Sequence, residues 1–134
     1  MDQHTIEHLA LAARNRDLAR SLLASGQPPQ ASEWAAVIAF YAAVHLVNAY
    51  LWETYGREPA DHGERNLAVR TDPVLGHCRR EYRRLADNGY HARYTLGFRI
   101  PATDAQVLVD VQLARVEAVI RRALSPPTGG TTRS

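Results

Sequence analysis

The stretch from Ser32 to Tyr55 limits most what this chain can become. It contains neither glycine nor proline, and Val37, Phe40, Val44, Val47 and Leu51 recur along it at spacings of three and four. That spacing fits one face of a helix and not the strict alternation of a half-buried strand. The run is framed by "GQPPQ" before it and Gly56 after it, with Ser32 as the expected N-cap and Gly56 as the expected stop. A helix this long and apolar needs other helices to cover it.

The rest of the sequence supplies them. A first helix is expected from Thr5 to Ser25, with Ile6, Leu9 and Ala13 and then Leu11, Leu18 and Leu22 at helical spacing. Asp61 and Glu64 form a capping box for a short helix from Gly63 to Arg70. Asp72 followed by Pro73 reads as N-cap and first-turn proline of a further helix, whose apolar stripe is Leu75, Cys78, Tyr82 and Leu85. Asn88 and Gly89 read as a break in that period. Thr103 and Gln106 form a second capping box, opening a last helix striped by Val109, Leu113, Val116, Ile120 and Leu124. The expected fold is all-α, an antiparallel bundle of four main helices plus a short one.

Bulk properties agree with one folded domain over residues 1–125. The chain has 134 residues, 46% of them hydrophobic and 22% charged, close to globular averages. The final "PPTGGTTRS", residues 126–134, has linker composition and is expected to be disordered. One cysteine, Cys78, excludes an internal disulfide and a cysteine-based zinc knuckle. Neither a secretory signal nor a membrane span is read from the sequence, so a cytoplasmic setting without membrane contact is expected. All sixteen basic side chains other than histidine are arginine, at a net charge of only +2. Arginine's planar fork suits phosphate, although a GC-rich coding sequence accounts for the same bias.

Three groups of residues carry chemistry. Tyr41, His45, Asn48 and Trp52 follow the i, i+4, i+7, i+11 rule and form one row beside the core stripe of the long helix. Buried, each needs a partner, and such a row serves either to fix helix register or to floor a pocket. His62 and Arg65, three apart on the first turn of the short helix, share a side and suit an anion. Finally "YRRLADNGYHARY", Tyr82 to Tyr94, interleaves arginines with tyrosines and His91, a pattern that stacks bases and holds phosphates. A solvated, ion-paired helix face is the plainer reading of that segment. Metal ligation has little in its favour: His4 and His8 alone have i, i+4 spacing, at an N-terminus expected to fray and with no third ligand evident, so neither a metal nor another cofactor is expected.

Taken in order, "FYAAVHLVNAYL", "GREPADHGER" and "YRRLADNGYHARY" resemble the HEPN family of small bacterial helical domains, over most of Ser32 to Leu124. The resemblance implies a helical homodimer directed at RNA or nucleotides, as a toxin-antitoxin or phage-defence protein. Its partner would be a nucleotidyltransferase-type antitoxin or another defence protein. Active members are metal-independent ribonucleases that use an arginine and a histidine a few residues apart, brought together across the dimer cleft. Arg84 with His91 fits that motif best, Arg70 with His77 second, and Arg93 is a further phosphate-binding cation. In such a site imidazole supplies a base near neutral pH and guanidinium stabilises the phosphorane. The alternative pocket combines His45, His62, Arg65 and Tyr94. The alternative function is a non-catalytic HEPN-like module for nucleotide or partner binding and oligomerisation.

Overall fold

A computed structural model describes residues 1–126. Its elements are α1 (Gln3–Ser25), α2 (Ala31–Tyr55), α3 (His62–Thr71), a 3-10 turn (Leu75–Cys78) leading into α4 (Arg79–Tyr94), and a last helical stretch. That stretch joins α5 (Ala102–Val107) and α6 (Ala114–Leu124) through a wider π-helical segment, Leu108–Leu113. No strand occurs among the described residues. The linker reading of residues 126–134 falls, apart from Pro126, outside them.

Local chemistry explains most boundaries. Asp2 caps α1, its carboxylate accepting from the His4 amide at 2.8 Å, and Gly26 ends the helix at φ 67°. Gly56, also at φ 67°, ends α2 as expected. The start of α2 differs from expectation: Gln30, in the left-handed region at φ 70°, precedes a helix that opens at Ala31, and the Ser32 side chain makes no cap. Asp61 caps α3, accepting from the Glu64 amide at 2.9 Å, while Glu64 accepts from the Ala60 amide at 3.1 Å. Asp72 caps the 3-10 turn through the amides of Val74 and Leu75. The Thr103–Gln106 box does not form; the last stretch starts from Pro101, and Gln106 instead donates to Asp110.

α2 lies at the centre. All five residues of its expected stripe are buried, and so are Ala35, Ala36, Ala39, Ala42, Ala43, Leu46 and Ala49, so it is covered nearly all round by α1, α4 and the last helical stretch. By length and composition α2 would also pass for a membrane-crossing helix, contrary to the sequence reading. However, 78% of its most apolar window is buried inside the fold. The stripes of the two later helices are largely as expected: Leu75, Cys78, Tyr82 and Leu85, and Val109, Leu113, Val116 and Ile120, all lie in the core, while Leu124 is half-buried at its edge.

Two further expectations are corrected. First, α1 buries Thr5, His8, Ala12 and Ala19; of its expected apolar residues Leu9 and Leu22 pack against the core, whereas Ile6, Leu11 and Leu18 are exposed. Thr5 meets Glu53 and His8 meets His45, so α1 runs antiparallel to α2, and its small buried side chains suit a close approach to that alanine-rich helix. Second, α4 continues through Asn88 and Gly89 to Tyr94. Gly89 lies against Phe40 of α2, where an added Cβ would fall 2.8 Å from the Phe40 Cβ. The glycine is there because two helices cross closely, and packing outweighs its poor helix propensity.

Candidate functional site

The polar row of α2 is bonded outward at every position. Tyr41 Oη accepts from Arg93 Nη1 at 2.9 Å, and His45 Nδ1 lies 3.0 Å from His8 Nδ1. Asn48 Oδ1 accepts from Arg65 Nε at 3.1 Å, and Trp52 Nε1 donates to Asp2 Oδ1 at 2.9 Å. The row therefore ties α2 to α4, α1, α3 and the residue before α1, in that order.

Its centre is a cluster of cations and aromatic rings. Arg65 is only 7% exposed, and its Nη1 donates to His62 Nδ1 at 3.0 Å. That bond makes Nδ1 an acceptor and leaves the proton of a neutral His62 on Nε2. Arg93 approaches from α4, its guanidinium 5.6 Å from the Phe40 ring centroid, 5.4 Å from Tyr41 and 4.9 Å from Tyr94. Burial, then the charges of Arg65 and Arg93, hold His62 below the usual histidine range. His45 is lowered in the same way, by burial and then by His8 and Arg65. Among the described residues no carboxylate lies within 4.0 Å of the Arg65 or Arg93 side-chain nitrogens. A guanidinium this buried without a counter-ion is poised for an anion.

Beside Arg93 the surface opens into a groove of about 690 Å³ between the start of α2 and the end of α4 with the segment after it, lined among others by Trp34, Arg93, Tyr94, Phe98 and Arg99. Trp34 is 52% exposed and Tyr94 66%. Exposed aromatic faces next to arginines are the parts from which single-stranded nucleic-acid sites are made.

The sequence-derived residues fall into this picture unevenly. His45, His62, Arg65 and Arg93 form one neighbourhood, with Tyr94 at its exposed edge. Arg84 and His91 are separate from it, both exposed on α4. Seven residues apart on an unbroken helix, they share a face at an axial distance of about 10 Å. His91 Nδ1 lies 2.7 Å from Thr95 Oγ1, and its ring stacks on Phe98 at 5.8 Å, which places it on the groove's rim. Arg70 and His77 occupy the end of α3 and the 3-10 turn, and no hydrogen bond joins them.

A second constellation forms around the His4–His8 pair, with a partner that has no local signal in the sequence. His4 Nε2 and His8 Nε2 both reach the same oxygen of Glu58, at 2.7 and 2.5 Å. Glu58 is thus the third donor that the His4–His8 spacing lacked, and the N-terminus carrying those histidines is fastened: Asp2 N donates to Glu53 at 3.1 Å and Thr5 Oγ1 to the same carboxylate at 2.9 Å. The hydrogen bond from His4 leads the effects that lower the Glu58 pKa, burial opposing it. No family model, curated protein or solved structure matches this chain.

Proposed function

We propose that this chain binds RNA or nucleotides through the His62–Arg65–Arg93 cluster and the aromatic groove beside it, as a HEPN-like bundle of four main helices acting as a dimer. The observation that carries the reading is the pair of guanidinium groups, Arg65 and Arg93, with no carboxylate partner among the described residues, next to exposed aromatic faces. Phosphate would sit against Arg93 and His62, and bases would stack on Tyr94 and Trp34. The HEPN resemblance supplies the biological setting: a cytoplasmic toxin-antitoxin or phage-defence protein, with a nucleotidyltransferase-type antitoxin as the kind of partner to look for.

A second reading, a metal-independent ribonuclease, has its own support in the shared exposed face of Arg84 and His91. His91 Nε2 has no hydrogen-bond partner among the described residues, so with its proton on Nδ1, held by Thr95, it is available as a base. Two copies meeting along this face of α4 would bring both motifs to one phosphate.

Anisotropy titrations with a labelled single-stranded RNA test the binding. One lost stacking contact is worth about 1–3 kcal/mol, so Trp34→Ala and Tyr94→Ala should each weaken affinity at least fivefold. Arg93→Ala should also flatten the salt dependence by about one ionic contact. Unchanged affinity in all three variants refutes the assignment. Cleavage of the same RNA in chelator, abolished by His91→Ala and Arg84→Ala, would establish the ribonuclease reading. Cleavage that survives His91→Ala refutes it.

A further inference from the structure

We infer that His4, His8 and Glu58 form a zinc site that clamps the start of α1 to the loop between α2 and α3. Their donor atoms all lie within 4.8 Å of one another. A four-coordinate Zn²⁺ with bonds of about 2.1 Å needs donors about 3.4 Å apart, so the two contacts to Glu58 would open by less than about 1 Å on loading. Two imidazole nitrogens and one carboxylate oxygen are a donor set typical of zinc, with the fourth position left to water. The side chains of His4 and Glu58 are each 40% exposed and that of His8 is 10% exposed, so the site has a solvent side for that water and a protein side that holds the ligands.

The supporting groups are also in place. The His4 ring packs against Trp52 at 4.5 Å and edge-on to His8 at 4.7 Å, and Trp52 is itself fixed by Asp2. His8 offers Nε2 to the site while Nδ1 faces His45 Nδ1 at 3.0 Å. An imidazole that ligates through one nitrogen is ordinarily oriented by a hydrogen bond from the other, and His45 is that partner here. Without metal, neutral His8 keeps its proton on Nε2 to donate to Glu58, and His45 donates from Nδ1. Ligation through His8 Nε2 moves that proton to His8 Nδ1, and His45 becomes the acceptor with its own proton on Nε2. Both rings remain neutral, and no proton is gained or lost by the pair.

The test uses the full chain, freed of metal with a chelator and titrated with Zn²⁺ against a chromophoric competitor and with Co²⁺ in the visible range. Expected are one ion per chain, bound more tightly than micromolar, and the d–d bands of four-coordinate cobalt. His4→Ala and Glu58→Gln change partly exposed side chains, and circular dichroism confirms that they fold. Each should weaken zinc at least as much as losing an outer-shell partner does, about 10–100-fold, and His45→Ala should fall in that range. His77→Ala should bind as the wild type. Binding weaker than micromolar, or equal in wild type, His4→Ala and Glu58→Gln, overturns the proposal.

Discussion

Replacing Gly89 by alanine should reverse the usual sign of a helical Gly→Ala substitution. In an open helix interior the change stabilises by about 1 kcal/mol, through propensity alone. Here the new methyl would meet Phe40 Cβ at 2.8 Å and Phe40 Cγ and Cδ2 at 3.1 Å, and Phe40 is itself a core residue at 3% exposure. Carbon pairs prefer about 3.5–4.0 Å, and a Cβ cannot swing aside as a chain end can, so α4 must shift from α2. Overpacking of this kind costs about 1–3 kcal/mol; taking the upper part and subtracting the propensity gain leaves a net loss of about 1.5 kcal/mol. With an unfolding entropy of about 2.1 cal/mol/K per residue, that lowers Tm by about 6 °C. Urea and thermal unfolding followed by circular dichroism measure it. Gly76→Ala, where nothing lies within 4 Å of an added Cβ, is the control and should be neutral or stabilising by up to about 1 kcal/mol. A Gly89→Ala variant as stable as Gly76→Ala would refute the close-crossing argument. Because the Gly89 carbonyl also accepts from Arg93 Nε at 3.1 Å, the displaced helix should move that guanidinium and weaken the RNA binding proposed above.

Two further perturbations probe buried polar groups. Asp72 accepts from Tyr50 at 3.0 Å and from Tyr55 at 2.5 Å. Burial pushes its pKa up, but these hydroxyls and the Val74 and Leu75 amides outweigh it, and the net direction is down. Its contribution is therefore complete above the unfolded value of about 3.9 and fades as pH falls through the lower folded value. Asp72→Asn should cost about 2 kcal/mol at pH 7 and narrow to a smaller difference below about pH 4; a gap constant across that range would contradict the assignment. Tyr82 is the opposite case: its hydroxyl is buried without a hydrogen-bond partner among the described residues, and burial pushes its pKa up to about 12. Tyr82→Phe should leave stability unchanged or raise it by about 1 kcal/mol in the same unfolding assay, and a loss of that size would mean that Arg65 satisfies the hydroxyl in solution.

The parts of the fold that were legible are those where hydrophobicity and burial coincide, as in the α2 stripe from Val37 to Leu51. α1 is only half legible: Leu9 and Leu22 pack against the core as their spacing predicts, but its fully buried face is made of Thr5, His8, Ala12 and Ala19, selected by size and hydrogen bonding, while Ile6, Leu11 and Leu18 remain outside. The local propensity of Gly89 points to a break, but a contact with Phe40, far away in sequence, decides its place. In the site, His62 and Arg65 were legible because a capping box fixes their turn, and Asn48 because it sits on a helical row. Glu58 was not, since it lies 50 residues from His8 and joins it only once α1 is laid antiparallel along α2. Trp34 has no signal of the same kind: its aromatic and arginine neighbours in the groove come from the end of α4 and the segment after it, about 60 residues away in sequence.

The near-complete burial of α2 bears on what happens when the fold opens. Its mean hydropathy of 1.6 over the most apolar window is suited to other protein or to lipid, and the neighbouring helices keep it from water. If α1 peels away, it uncovers part of a surface that other unfolded chains can occupy. Detachment of α1 would then start aggregation, and the contacts fastening its first turn, Asp2 to Trp52 and Thr5 to Glu53, protect solubility as much as they protect structure.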